Sequence, residues 1–577
     1  MPRKKRPLPR AGGEDKGVRG KRPDLDSHKI IVGVDYGTTF TGVSYVSTAK
    51  RSVDDISVIT TWPGVSRKSE TVFKIPSRIA YPNENYRIQE NKWGFQVESG
   101  MASYSWTKLL LDNNSQATKF DDETLAFQKE AGMPILNLPQ GKDAVTVVAD
   151  FLEAVYKHTI NVLEKQITAD VLAITPMEFW FTMPAIWSDG AQHATREAAK
   201  RAGFGSRPGD NISMISEPEA AAIAALKEHT RYEALSSVKP GDGVLVCDCG
   251  GGTVDITTYR ILKTSPILSF EELCTGAGAK CGSTTIDRKF YELMQERFGA
   301  AFRCLPLKTK GPGSNFMEAF EQIKQDFGYS EKGTGNYELP LDISLSDPDP
   351  NNDVRTLFDP VVDKIKALIQ SQITIVNRDG GEKGIKTIIL AGGFGDSEYL
   401  RKALIHQFSN RMGIEVIVPK HPQAAIVKGA VFGGLDGLHP RTRLCRRHYG
   451  FSLHRSFRDG IDPDDTAYIG LFDEKKKSRG RMNWMIKKGE KMGECLKGSA
   501  PDRNSHYSVN LVGHLTIDFT GVDWTCVETK LNSKGIEVYR ISFEVKMCCG
   551  AREGILKFTA VANGKNLGEA KIDFSKD

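Results

Sequence analysis

Two copies of one short pattern, far apart in the chain, constrain its fold more than any other feature. Val244–Tyr259 reads VLVCDCGGGTVDITTY. Val244, Leu245 and Val246 predict a buried strand, Asp248 stands at its end, and Gly250, Gly251 and Gly252 predict a turn into a second strand. Three successive glycines let backbone N–H groups face an anion such as a polyphosphate. Thr253 adds a hydroxyl and Asp255 a second carboxylate. Carboxylates beside phosphate repel it unless a divalent cation lies between, so the stretch points to Mg²⁺ together with a nucleotide. The bland alternative is an ordinary Gly-rich hairpin. Ile31–Tyr45, IVGVDYGTTFTGVSY, repeats the pattern, with apolar residues leading to Asp35 and then Gly37, Thr38 and Thr39. Asp35 and Asp248 hold the same place 213 positions apart. Repetition at that spacing predicts two similar lobes, each supplying one hairpin, with the nucleotide held between them.

At 577 residues the chain exceeds a single core, and three or four domains are expected. A hydrophobic content of 40% and a charged content of 26% belong to a soluble globular protein. No apolar run approaches the roughly 20 residues that span a bilayer. No apolar segment follows the basic start, so no secretory signal is expected and the cytoplasm is the expected compartment. Residues 1–29 hold ten Lys/Arg against four acids, which accounts for the whole net charge of +6. This tail is rich in Pro, Gly and charge and is predicted to be disordered. Its PRKKRP run reads either as a nuclear-import signal or as a solvating tail. The neutral remainder argues against nucleic-acid binding. The ten cysteines include no Cys-x-x-Cys pair and no zinc spacing. Cys247 and Cys249 read as strand packing, and Cys548-Cys549 as a turn.

Between the hairpins, Lys74–Tyr81 predicts a strand. Lys108 lies within WTKLLLD, where it either points at phosphate or snorkels from an apolar surface. Helices are predicted at Asp143–Leu163 and at Ser188–Ala202, the latter with Ser188 as N-cap. Ile212–Ile215 predicts a strand running into Glu217-Pro218-Glu219 and an alanine-rich helix. Glu217 at that junction suits a site carboxylate, or simply a helix start. Phe316–Phe327 is an amphipathic helix with Glu321 and Lys324 on one side. Gly333–Ser346 predicts a strand hairpin and Val361–Val376 a helix. Ile388–Gly395 is a third strand followed by a glycine turn, with Gly392 and Gly393 placed to pass a flat base or ribose, or simply to make a tight turn. A helix over Tyr399–Phe408 and another over Ala424–Gly434 follow. After about Leu435 helical spacing gives way to short alternating runs, among them Leu511–Phe519, Ile541–Met547 and Ile555–Val561, with Asn563-Gly564 as a hairpin turn.

The three loops, DYGTT, DCGGGTVD and AGGFGDS, resemble in their order the nucleotide-binding domain shared by actin, the sugar kinases and the 70-kilodalton heat-shock chaperones. TMPAIWSD (Thr182–Asp189), ISEPEAAAIAAL (Ile215–Leu226) and FEQIKQDF (Phe320–Phe327) are similar to the chaperone branch. WGFQ (Trp93–Gln96) and WTKLLLD are closer to its divergent heat-shock-protein-twelve-like members. The resemblance implies an α/β fold: a two-lobed actin-like ATPase domain with a duplicated ribonuclease-H-like core over residues 30–435. A basic connection over 436–450 and a smaller β-rich domain over 451–577 without a helical lid would follow. It implies ATP or ADP with Mg²⁺ as ligands. Asp35 would hold Mg²⁺, with Asp248 and Glu217 acting through water. Gly37, Thr38, Thr39, Gly250, Gly251, Gly252 and Thr253 would cradle phosphate. Lys108 would neutralise the γ-phosphate, Asp255 would support the water network, and Glu321, Lys324, Gly392 and Gly393 would hold the nucleoside. An unfolded polypeptide at the C-terminal β domain, and a co-chaperone or nucleotide exchange factor, are the implied partners.

The chain also departs from the family. Gln325 replaces an arginine that stacks on the base, Gly282-Ser283-Thr284-Thr285 replaces a Gly-Gly-acid-acid run, and Gln423 replaces an acid. The acidic, leucine-rich interdomain segment is replaced by HPRTRLCRRHY (His439–Tyr449), which puts coupling between nucleotide and C-terminal domain in question. A chaperone-like ATPase, a nucleotide-binding scaffold without client refolding, and a small-molecule kinase of the same fold are therefore the competing functions.

Overall fold

The computed structural model describes residues 28–50, 53–64, 72–112, 118–123, 136–230, 238–264, 268–329, 339–340, 354–378, 384–492, 496–497, 527–540, 543–549, 556–562 and 565–571. The tail expected to be disordered over residues 1–29 lies outside these residues but for His28 and Lys29, and the hairpin over Gly333–Ser346 but for residues 339–340; the strand at Leu511–Phe519 and the Asn563-Gly564 turn lie wholly outside them.

Both repeated patterns form antiparallel hairpins. The first pairs β1 (Ile30–Tyr36) with β2 (Phe40–Ser47). β3 (Ser57–Val58) and β4 (Ile75–Pro76) pair with β2. β5 (Arg78–Ala80), β6 (Lys92–Trp93) and β7 (Tyr104–Ser105) make a small separate sheet. β8 (Met177–Met183) lies parallel to β1, and β9 (Asn211–Ser216) parallel to β8, giving the order β3-β2-β1-β8-β9. The second hairpin pairs β10 (Gly243–Cys249) with β11 (Val254–Lys263). β12 (Ser269–Ala279), β13 (Ile385–Ala391) and β14 (Glu415–Ile417) complete a sheet of order β12-β11-β10-β13-β14. In both sheets the hairpin partner is antiparallel and the next two strands are parallel. Asp35 and Asp248 are each the penultimate residue of the central strand.

Two helices join the sheets. Glu217–Thr230 and Pro422–Asp436 are apolar on nearly every side, which is what a helix needs when it is covered all round. They share one core with Ile31 and Trp180 of the first sheet and with Val244, Val246, Tyr259 and Ile389 of the second. Their backbones cross so closely that a Cβ on Gly429 would lie 1.7 Å from the Ala220 carbonyl oxygen, which only glycine permits. The Ala144–Glu164 and Asp189–Arg201 helices cover the outer face of the first sheet. Thr284–Arg303, Asn315–Asp326 and Arg355–Arg378 cover that of the second. Ser188 accepts a hydrogen bond from the Ala191 N–H, as its place before the helix predicts. The helix expected over Tyr399–Phe408 is α-helical only over Glu398–Leu404 and continues as a wider π turn, Ile405–Ser409.

After Asp436 the described residues contain antiparallel strands and no α-helix. Cys548 and Cys549 are not at a turn. They are the last two residues of the strand Glu544–Cys549, where they pair with Lys557 and Leu556. No helix among the described residues is long and apolar enough to cross a membrane.

Candidate functional site

The two hairpin turns meet. A Cβ on Gly251 would come within 2.4 Å of the Thr39 hydroxyl, and one on Gly252 within 2.4 Å of the Thr38 hydroxyl. The second turn is anchored from behind. Backbone N–H groups of Gly282, Ser283 and Thr284, where the Thr284–Arg303 helix begins, donate to the carbonyls of Gly252, Gly250 and Gly251 at 3.2, 3.1 and 2.8 Å. Gly282, Ser283 and Thr284 thus hold the turn through their main chain, while the Thr284 and Thr285 hydroxyls accept from Arg288. The third turn closes on Asp248. Gly392 has φ 85°, and a Cβ there would fall 2.3 Å from Asp248 Oδ1.

These turns surround a cavity of about 570 Å³. Every residue expected to hold the nucleotide or Mg²⁺ lines it except Asp255. Asp255 is buried opposite Asp248 in the β10–β11 register. Its Oδ1 accepts from the Ile186 N–H at 3.1 Å. Lys108 sits on the short 3₁₀ turn Thr107–Leu111, which Trp106 opens in a left-handed conformation at φ 60°. The Thr107 and Tyr36 hydroxyls share a 3.0 Å hydrogen bond that ties this turn to the end of β1. The Lys108 ammonium does not snorkel. It is buried 2.5 Å from Glu217 Oε1, at the first residue of the sandwiched helix.

Sequence reasoning missed three groups. Lys74, just before β4, places its ammonium 2.7 Å from Asp35 Oδ2, and the Thr182 hydroxyl donates to Asp35 Oδ1 at 2.7 Å. Lys74 stood within a stretch read only as a strand, although its aromatic neighbour Phe73 offered the signal that drew attention to Lys108. Asp287 was also missed. Lys324 bonds it at 2.7 Å and Glu321 at 2.6 Å. Gln325 donates to Glu321 at 3.3 Å.

Four buried carboxyls and two ammoniums thus face one another, and their environments push them apart. Burial, reinforced by Glu217, Asp255 and Asp35, raises the Asp248 carboxyl well above the usual range. Burial also raises Asp255. Burial, helped by Asp35 and Asp255, lifts Glu217 to about 7 against the pull of Lys108. Burial opposes ionisation of Asp35 too, yet Lys74 and Lys108 together hold it below the ordinary value. Asp248 Oδ1 and Asp255 Oδ2 are buried with no hydrogen-bond partner among the described residues. Orphaned buried oxygens beside glycine-lined turns suit a bound cation and its waters. Among the described residues no three His, Cys, Asp or Glu side chains are grouped to take a metal directly. Hydrated Mg²⁺, which keeps most of its waters and leans on phosphate, fits this donor set.

The basic connection after Asp436 is docked. The backbones of Arg441 and Thr442 bond Phe270 and Glu272 at the edge of β12. Arg443 bonds both oxygens of Glu219 at 2.7 and 2.9 Å. Arg446 reaches the Ala185 carbonyl at 3.0 Å, and Arg447 reaches Asp189 at 3.0 Å. The Ala185 carbonyl and the Ile186 N–H that holds Asp255 belong to one peptide unit, so a single peptide group links this connection to the buried Asp255 carboxylate.

A family model described as Hsp70 protein matches residues 31–431. Heat shock 70 kDa protein 12B of Homo sapiens is 25% identical over 535 residues, covering 78% of this chain and 75% of that protein. Heat shock 70 kDa protein 12A of Mus musculus is 24% identical, covering 76% and 74%. Chaperone protein HscA of Proteus mirabilis is 26% identical over 289 residues, 49% of this chain and 40% of that one.

Proposed function

The chain belongs to the Hsp70 protein family, in its heat-shock-protein-twelve-like branch, and from that premise we propose that it is a chaperone-like protein that binds Mg²⁺–ATP between its two central sheets and hydrolyses it slowly. The observation that carries the reading is the contact of the two glycine turns, with Asp35, Lys108, Glu217 and Asp248 around one cavity. The matching strand orders of the two sheets support a duplicated, two-lobed actin-like domain over residues 30–435. The strands after Asp436 support a separate β-rich domain over 451–577.

In this reading Thr38, Thr39, Gly37 and the Gly250–Thr253 turn bind the β- and γ-phosphates through N–H and hydroxyl groups. Lys108 neutralises charge that develops on the transferring phosphoryl group, and Glu217 orients water and accepts its proton. A carboxyl near 7 is matched to that proton transfer. Asp35 would hold Mg²⁺, with Asp248 and Glu217 acting through water, and the bound metal would supply charge to offset the phosphates. Asp255 fixes the Ile186 corner and supports the water network. Glu321, Lys324, Gly392 and Gly393 receive the nucleoside, with ADP as the product that remains bound. No group other than these positioning residues activates the water, which is why turnover is slow.

Exposed Ile469 and Leu531 on the C-terminal strands, and Leu471 and Ile536 in the turns beside them, support a polypeptide partner there. A co-chaperone or nucleotide exchange factor would act on the ATPase domain. The docked arginines support coupling of the two regions through Ala185–Asp189. A second reading, a nucleotide-binding scaffold that turns over little ATP, is favoured by the occupation of both Asp35 oxygens. Calorimetric titration of the full chain with Mg²⁺–ADP tests the shared core of both readings: one saturable site is expected, and no binding up to about 1 mM would contradict it.

A further inference from the structure

The nucleotide cleft contains a second ammonium that neither hairpin supplies. Lys74 lines the same cavity as Lys108 and pairs with Asp35 at 2.7 Å. Its position is built. Ile75, the next residue, pairs with Thr41 in the sheet. Phe73, the residue before, packs on the His421 ring at 5.0 Å between centroids. Its aliphatic stem runs over Gly42, where a Cβ would lie 3.2 Å from Lys74 Cγ. The side chain is 11% exposed and that of Asp35 3%.

We infer that Lys74 is a built-in cation of the cleft: its ammonium competes with Mg²⁺ for Asp35 and can serve the phosphates in the metal's place, so Lys74 sets how strongly nucleotide binding depends on Mg²⁺. The inference rests on the nucleotide reading above and deepens it. Mg²⁺ and the Lys74 ammonium compete for one carboxylate, because Thr182 already takes the other Asp35 oxygen. The same ammonium, released from Asp35, is a mobile point charge on a flexible stem and can neutralise phosphate without a metal. Both effects act in one direction. With Lys74 present, Mg²⁺ gains less and metal-free nucleotide loses less. A lysine that neither competed with the metal nor reached the phosphates would alter binding equally with and without Mg²⁺.

The test is the dissociation constant of ADP for the full chain, measured once with Mg²⁺ and once with EDTA. The ratio of the two constants is the readout. Lys74→Met keeps the stem and removes the charge, and the ratio is expected to rise about tenfold or more. Lys74→Arg keeps the charge and is expected to hold the ratio within about threefold of wild type. An unchanged ratio in Lys74→Met, with ADP still bound, overturns the inference and leaves the nucleotide reading standing. Should Lys74→Met fail to fold, Lys74→Gln carries the same expectation and the same refutation. A wild-type chain that binds no ADP under either condition overturns the nucleotide reading itself, and this inference with it.

Discussion

A methyl group on Gly251 would lie 2.4 Å from the Thr39 hydroxyl, so the Thr39 side chain of the first hairpin turn sits directly against the Gly251 backbone of the second. Thr39 is β-branched and cannot swing away freely. Gly251→Ala should push the turns apart. It should weaken Mg²⁺–ADP binding by about 1–3 kcal/mol while the far-ultraviolet circular dichroism stays native. Titration calorimetry of the variant against wild type reads this directly.

Glu217 predicts a pH dependence. Its folded value of about 7 lies above the ordinary 4.5, so between those limits the native state holds more protons than the unfolded one. Its contribution to stability is therefore complete below 4.5 and is lost as the pH rises through about 7. Nucleotide binding should show the opposite trend, because the ionised form serves Mg²⁺. Affinity for Mg²⁺–ADP should be about tenfold weaker at pH 6 than at pH 8 from this group. Glu217→Gln should flatten the profile, as affinities measured across that range would reveal.

Arg443 grips Glu219, a buried carboxylate two residues beyond Glu217. Arg443→Ala strands that charge and should cost about 1–3 kcal/mol in urea unfolding. It should also loosen the connection, so limited trypsin digestion should cut among Arg441, Arg446 and Arg447 faster than in wild type.

Much of the site was legible because its chemistry is local. Asp35 and Asp248 end apolar strands, the glycines follow them directly, and Glu217-Pro218 marks a strand-to-helix junction. Each of these signals spans only a few residues, and all appear where expected. Lys74 and Thr182 were not legible as partners of Asp35. They reach it from 39 and 147 positions away, and only the register of β4 on β2 and of β8 on β1 brings them there. The docking of the connection was hidden for the same reason. A run of arginines reads as solvated until Asp189, Glu219 and Glu272, from three separate elements, are seen to line up beneath it.

Single-turnover hydrolysis of ATP with Mg²⁺ tests the central claim most directly, with wild type compared against Lys108→Ala and Thr253→Ala in the presence and absence of an unfolded peptide. The account predicts measurable turnover by wild type, stimulated by peptide, and a loss of about 100-fold or more in each variant with ATP still bound. Bound ATP that wild type does not turn over, or variants that hydrolyse it as fast as wild type does, would contradict it.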